Sequence, residues 1–131
     1  MAPAAADTIA GIINDLCIAA DGLDAIVTGD LGFIGSELLI EYLKREYNLD
    51  ISAVHMDCGK MIYYREEQDV HAGGSGCGCS ASMLCSHFLN KLRSGEMKRI
   101  IFTATGALLS PSSVKQGESI PSIAHAVLLK G

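Results

Sequence analysis

Apolar residues recur every three or four positions in three stretches of the chain, and this spacing predicts three amphipathic helices. The stretches cover residues 3–17, 36–47 and 80–93. Pro3 suits the first turn of the first helix, where its missing N–H costs no hydrogen bond. The positions predicted to form the buried faces of the second and third helices are Leu38, Leu39, Tyr42, Leu43, Leu84, Phe88, Leu89 and Leu92.

Short apolar runs between and after these helices predict β-strands. The clearest runs cover residues 25–28, 99–105 and 123–129, and weaker runs cover residues 54–57 and 60–64. A short strand without polar positions is typical of a sheet that is covered on both faces. The alternation therefore predicts an α/β layered domain with a mixed sheet, whose last two strands form an antiparallel pair.

Two predicted loops follow strands of this sheet, at residues 29–35 and 106–121. The first loop carries glycines with the spacing G-x-x-G-x-x-G. A dinucleotide fingerprint requires G-x-G-x-x-G and an acidic residue about twenty positions later, after a strand. The spacing therefore argues against a nicotinamide cofactor.

Residues 71–80, the glycine-rich segment, read HAGGSGCGCS and immediately precede the third predicted helix. Glycine is favoured where the backbone adopts a positive φ or approaches another group closely. A turn of this kind at the start of a helix presents backbone N–H groups and the positive end of the helix dipole. The segment therefore predicts the floor of a site for an anion, a thioester carbonyl or an oxyanion.

Composition narrows the classes of partner. The 131 residues carry a net charge of −5 without a basic block, which argues against binding to nucleic acid and to anionic lipid. Residues 1–7 lack the basic region of a signal peptide, and no uncharged stretch is apolar enough to span a bilayer, so the cytosolic side is expected. Apolar residues make up 49% of the chain and mean hydropathy is +0.29, which predicts apolar surface covered by a partner or a further segment.

Five cysteines, an odd number in a chain without an export signal, indicate reduced thiols rather than a disulfide framework. Cys77, Cys79 and Cys85, with one histidine from His55, His71 or His87, would supply four metal ligands. However, Cys-x-Cys is not the usual spacing of a structural zinc site and no second pair exists. Buried thiols are therefore favoured over a metal centre.

Four strings carry a resemblance to a family of stage V sporulation proteins with the thiolase-like fold. They are DVHAGGSGCGCSA at 69–81, KRIIFTATGALLS at 98–110, QGESIPSIAHAV at 116–127 and IVTGDLG at 26–32. The resemblance implies a fold of two similar α/β halves, related to the β-ketoacyl-acyl-carrier-protein synthases. Residues 1–131 would then form the C-terminal half-domain, with the N-terminal half outside this sequence.

The same resemblance implies a pocket that has lost its catalytic groups. In the synthases, the loop after the strand corresponding to residues 25–28 carries a histidine, and the loop corresponding to residues 74–80 carries an asparagine. Here the first loop has Asp30 and no histidine, and the second has Ser75 or a glycine in place of the amide. A non-catalytic protein is therefore expected, and an acyltransferase acting on acyl thioesters or a fragment without autonomous function are the competing interpretations.

For the family, the resemblance implies binding of dipicolinic acid and its uptake into the developing spore. The expected partners are this acid and other stage V sporulation membrane proteins, at the cytoplasmic side of the spore inner membrane, without a cofactor. The exposed face of the half-fold would allow a homo-oligomer. The candidate ligand-binding residues are Asp30, His71, Gly74, Ser75, Gly76, Cys77, Cys79, Ser80, Thr105 and Gly106.

Several of these residues have a structural alternative. His71 either donates to a ligand or holds its loop, and Asp30 either lines the pocket or accepts from nearby N–H groups in a turn. Cys79 is the better candidate for a reactive thiol because a helix N-terminus lowers a thiol pKa, although packing alone is favoured for it and for Cys77. His125 alternates with apolar residues in the last strand and is expected to be a core histidine.

Overall fold

A four-stranded mixed sheet organises the molecule, and the computed structural model describes all residues, 1–131. The strands lie in the order β2-β1-β3-β4; their bounds are Ala25–Thr28 (β1), His55–Asp57 (β2), Arg99–Ala107 (β3) and Ser122–Lys130 (β4). β1 pairs in parallel with β2 and β3, whereas β3 and β4 are antiparallel. The predicted α/β class, the mixed sheet and the final antiparallel pair are confirmed.

Helices cover both faces of this sheet. They are Ala2–Asp15 (α1), Gly32–Tyr47 (α2), Cys58–Met61 (α3), Cys79–Met83 (α4), Leu89–Arg93 (α5) and Pro111–Lys115 (α6). A π-helical turn, Leu84–Phe88, joins α4 to α5, so the third predicted helix is continuous over its expected length. None of the helices is long and apolar enough to cross a bilayer.

The strand pleat divides the core into two clusters. Ile26 and Ile101 pack with α1 and α2 on one face, while Val27 and Phe102 pack with α4 and α5 on the other. Successive side chains of a strand point to opposite faces, so a strand covered on both sides has no position for a polar residue facing water. This explains why all four residues of β1 are buried.

Two predicted boundaries are wrong for one physical reason. α2 begins at Gly32 rather than at residue 36, and residues 60–64 do not form a strand because α3 begins at Cys58. The side chain of Asp57 accepts hydrogen bonds from the backbone N atoms of Gly32 and Lys60, at 2.9 and 3.2 Å. A carboxylate that accepts the free amides of a first helical turn stabilises that turn.

Two residues that were predicted to be buried, Leu38 and His125, are exposed. Leu38 is exposed, because α2 packs on the sheet through Leu39 and Leu43. His125 is exposed rather than part of the core, and it shares one side of β4 with Ile123 and Val127, which are 55% and 53% exposed. The helices on that face cover the sheet near the end of β4 and leave its first half open, so alternation with apolar residues does not bury this histidine.

The long predicted loop at residues 106–121 is shorter than expected. β3 continues to Ala107 and β4 begins at Ser122, so the two strands form a long antiparallel ribbon. A short helix, α6, lies within the connection. The connection is mostly polar and has no helical spacing of apolar residues, so the sequence did not predict α6.

Candidate functional site

The carboxyl ends of β1, β2 and β3 lie side by side, and the chemically distinctive residues collect there. β1 pairs with both neighbours in parallel, so all three strands deliver their following residues to the same edge of the sheet. Asp30 follows β1, Asp57 ends β2 and Thr105 lies near the end of β3. This edge is where open α/β sheets commonly bind ligands.

Asp30 holds the glycine-rich segment against β3. Its Oδ2 accepts hydrogen bonds from Ser75 Oγ at 3.0 Å and from the Gly76 N–H at 3.1 Å. Its Oδ1 accepts from Thr105 Oγ1 at 3.0 Å. Both alternatives for Asp30 therefore apply, because the carboxylate accepts from its neighbours and also faces the cleft described below.

Gly29 makes this arrangement possible. A Cβ at this position would lie 2.7 Å from Thr105 Oγ1 and 3.0 Å from the Thr105 backbone N. The first distance is shorter than carbon–oxygen contact allows, and the second is tight and involves a backbone atom. A side chain at residue 29 would therefore push the end of β3 away from Asp30.

Asp57 also lies at this edge of the sheet, and the sequence analysis did not identify it as a site residue. It is 1% exposed, and its Oδ2 accepts from Thr28 Oγ1 at 2.6 Å and from the Leu31 N–H at 3.0 Å. Together with the amides of Gly32 and Lys60, these donors satisfy a buried carboxylate, which is otherwise costly. The available signal for Asp57 was its place at the end of an apolar run, residues 54–57. This run predicted a strand only weakly, so it did not show that Asp57 is buried.

His55 joins the Asp57 network through Thr28. The His55 Nε2 atom lies 3.0 Å from Thr28 Oγ1. Burial lowers the pKa of His55 to about 4, and this effect outweighs the opposite influence of the Asp57 charge. The imidazole is therefore neutral at pH 7 and belongs to the scaffold below the site.

A cleft of about 360 Å³ opens above Asp30. Six of the ten predicted ligand-binding residues line it. The lining residues are Met1, Asp30, Ser75, Gly76, Cys77, Thr105, Gly106, Ala107 and Leu109. Asp30 is the only charged side chain among them, and no histidine reaches the cleft.

Four predicted site residues lie outside this cleft. His71 is exposed, adopts a positive φ of 47°, and its Nδ1 lies 3.1 Å from Asp69 Oδ1. Gly74 is buried, and its N–H donates to the carbonyl oxygen of Gly59 at 2.7 Å. Cys79 and Ser80 lie behind the cleft beside Gly29.

The expectation that the Cys79 thiol has a lowered pKa is wrong. Cys79 is buried, and desolvation, followed by the negative charges of Asp30 and Asp57, raises its pKa. Burial also raises the pKa of Cys58 to about 12. Loss of hydration outweighs the helix N-terminus here, so neither thiol forms a thiolate readily at neutral pH. Cys77, by contrast, is exposed.

Comparison with known proteins decides the family. The sequence profile of the stage V sporulation protein AD family matches residues 1–130. The chain belongs to this family. It is similar to stage V sporulation protein AD of Bacillus subtilis (strain 168), with 48% identity over 130 residues. That match covers 99% of this chain but 38% of the relative, so the chain spans less than two-fifths of the relative's length.

The matched range, residues 1–130, spans Asp30, Asp57 and the glycine-rich segment. Membership of the stage V sporulation protein AD family makes this a sporulation protein. The cleft at the sheet edge therefore lies in a member of a sporulation protein family.

Proposed function

We propose that this chain forms one wall of a dipicolinic acid site in a sporulation protein that takes part in uptake of the acid into the developing spore. One observation carries the proposal. Two hydroxyl groups and one backbone amide, from Ser75, Thr105 and Gly76, converge on a carboxylate at the base of the cleft. These three donors are occupied by Asp30, so the cleft offers a ligand oxygen atoms, from the Asp30 carboxylate and from the Ser75 and Thr105 hydroxyls.

Charge balance favours the calcium complex of dipicolinate as the bound species. No lysine or arginine lines the cleft, and Asp30 would repel a free dianion. A calcium ion carried by the acid as cargo would instead attract Asp30, because carboxylate and hydroxyl oxygens are the ligands calcium prefers. The cleft is therefore proposed to take calcium dipicolinate in preference to the free acid.

Calorimetric titration with dipicolinate, with calcium and then with a chelator, tests this proposal. We expect binding to require calcium and to weaken roughly tenfold to a hundredfold in the Ser75→Ala, Thr105→Val double variant, since each hydroxyl bond contributes about 1 kcal/mol. Gly78→Ala is the matched control, because its φ is −92° and no atom lies within 4 Å of the added Cβ. Unchanged affinity in the double variant would remove the cleft from the binding site.

We further propose that the scaffold is thiolase-like and that the cleft is not catalytic. Cys77 is the one thiol that lines the cleft, and no histidine is present there to act as its base. Incubation with acetyl-coenzyme A followed by intact-protein mass spectrometry is expected to leave the protein unmodified. A stable acyl adduct on Cys77 would instead support the acyltransferase alternative.

The uncovered side of β4 is the proposed surface for association. Ile123 and Val127 lie there on either side of His125 on an edge strand, and such a surface favours contact with another copy or another protein. In the spore, we propose other stage V sporulation membrane proteins as neighbours, at the cytoplasmic side of the inner membrane. Sedimentation of an Ile123→Lys, Val127→Lys variant should show a smaller species if this surface mediates self-association.

A further inference from the structure

The buried carboxylate of Asp57 has its acceptor positions filled by donors of the chain itself. Its Oδ2 accepts from the Thr28 hydroxyl and the Leu31 N–H, at 2.6 and 3.0 Å. Its Oδ1 accepts from the N–H groups of Gly32 and Lys60, at 2.9 and 3.2 Å. With two donors on each oxygen and 1% exposure, Asp57 has no free position for a ligand. Any influence of Asp57 on the cleft therefore passes through the groups that it holds.

One path from Asp57 leads to the charged residue of the cleft. The Leu31 N–H, which donates to Asp57, belongs to the peptide unit that joins Leu31 to Asp30. Asp30 lines the cleft and accepts from the Ser75 hydroxyl and the Gly76 N–H. Asp57 thus fixes the backbone of Asp30, and with it the position of the second carboxylate.

A second path leads to the glycine-rich segment through the start of α3. The Lys60 N–H donates to Asp57, and the Gly59 carbonyl oxygen accepts from the Gly74 N–H at 2.7 Å. This N–H and this carbonyl belong to one planar peptide unit, which therefore connects Asp57 rigidly to Gly74. A Cβ at Gly59 would lie only 2.4 Å from the Gly74 carbonyl oxygen, so this approach of two backbones requires glycine.

The distances also assign the hydrogen atoms of the network. Thr28 has one hydroxyl proton, and its shortest contact, 2.6 Å to Asp57 Oδ2, takes that proton. The His55 Nε2 atom lies 3.0 Å from the same Thr28 Oγ1, so Nε2 is the donor of this contact. The neutral imidazole of His55 therefore carries its proton on Nε2.

We propose that Asp57 is the positioning residue of the cleft, and that its two paths set the places of Asp30 and of the glycine-rich segment. The effect on ligand affinity rests on the function proposed above. The positioning itself is a property of the free protein, so it can be measured without a ligand.

Asp57→Asn separates the two paths, because an amide has one acceptor oxygen and one donor nitrogen. The oxygen is required at the Oδ1 position, where both partners are backbone N–H groups that can only donate. The nitrogen then faces Thr28, whose hydroxyl can rotate to accept, and the Leu31 N–H, which cannot. The variant is therefore expected to release Leu31 and the neighbouring Asp30, while the two bonds at the Oδ1 position persist.

Amide hydrogen exchange in the free protein tests this expectation. In Asp57→Asn, exchange should become about tenfold faster at Leu31 and at Gly76 and stay unchanged at Lys60. Leu43→Ala controls for a general loss of stability, since Leu43 is fully buried in the core but makes no contact in the network. It should leave exchange at Gly76 unchanged relative to Lys60. An Asp57→Asn variant with unchanged exchange at Leu31 and Gly76, or with an equal rise at Lys60, would overturn the proposal.

Long-range nitrogen–proton NMR spectra of the unsubstituted protein provide a test that needs no variant to fold. At neutral pH, the His55 ring should be protonated on Nε2 and unprotonated on Nδ1. The opposite tautomer would mean that the Thr28 hydroxyl donates to His55 instead of Asp57. That result would contradict the network on which the proposal depends.

Calorimetric titration with calcium dipicolinate connects the positioning to ligand binding. Asp57→Asn should bind roughly tenfold more weakly, whereas Leu43→Ala should bind as the unsubstituted protein does. Equal affinity in all three proteins would show that Asp57 does not position the ligand site. If the unsubstituted protein binds no calcium dipicolinate, the proposed function fails, and the exchange and NMR results still decide whether Asp57 positions the cleft.

Discussion

Two carboxylates at the ends of neighbouring parallel strands, Asp57 and Asp30, accept several hydrogen bonds each but lie in different surroundings. Asp57 is buried and takes its donors from the Thr28 hydroxyl and from backbone N–H groups near the starts of two helices. Asp30 is partly exposed and takes two of its donors from the glycine-rich segment beside the cleft. The comparison indicates that one carboxylate holds the scaffold together, while the other sets the position of a surface loop beside the cleft.

The largest effect should follow from loss of the buried carboxylate. Asp57→Ala leaves three backbone N–H groups and one hydroxyl without their acceptor in a buried place, so we expect the free energy of unfolding to fall by roughly 3–5 kcal/mol. Denaturant unfolding measures this loss. Asp24→Ala is the control, because Asp24 also accepts two backbone amides, from Lys98 and Arg99, but at the surface. Equal losses in the two variants would show that burial of Asp57 does not matter.

The buried network should also respond to acid. The unfolded chain protonates His55 near its ordinary pKa of 6.5, whereas the folded chain does so only near pH 4, because burial disfavours the imidazolium. His55 therefore leaves stability unaffected above pH 6.5, lowers it progressively between pH 6.5 and 4, and adds no further loss below that range.

Unfolding measured at several pH values in His55→Gln should show a flatter dependence over this window. His71→Gln is the matched control, because His71 is exposed and outside the network, and it should retain the dependence of the unsubstituted protein. A profile for His55→Gln that overlays that of the control would mean that His55 titrates normally in the fold.

A smaller and more local effect is expected at the exposed carboxylate. Asp30→Asn keeps an acceptor oxygen and loses the charge, so we expect about 1 kcal/mol of destabilisation. Amide hydrogen exchange should become faster at Gly76, whose N–H donates to Asp30, and stay unchanged at Gly32, whose N–H donates to Asp57. Faster exchange at both amides would show that the two carboxylates act as one unit.

The local sequence pattern was sufficient to predict the elements whose structure depends on residues close to them in the chain. The run at residues 25–28, apolar except for Thr28, is β1, and the helical spacing at residues 80–93 is the segment from α4 to α5. The glycine-rich segment was also recognisable, because a run of glycines before a helix is typical of a turn with positive φ angles or close backbone contacts. Three of its residues, Ser75, Gly76 and Cys77, line the cleft together with the predicted Asp30, Thr105 and Gly106.

Other features depended on residues far apart in the sequence. α2 begins early because Asp57, 25 residues beyond Gly32, accepts its first amides. The Cys79 thiol has a raised pKa because packing buries it, and His125 is exposed because no helix covers its side of that part of β4. No window of neighbouring residues contains this information.

The sequence alone determined that this chain is an α/β domain with a glycine-rich turn before a helix, because periodicity and glycine content act over a few residues. Only the tertiary structure decided the different roles of the two carboxylates. Asp30 and Asp57 are the same residue type after similar strands, and their difference lies in what surrounds them. Burial and the direction of donors come from segments brought together by folding, and these decide whether a carboxylate supports the fold or faces a ligand.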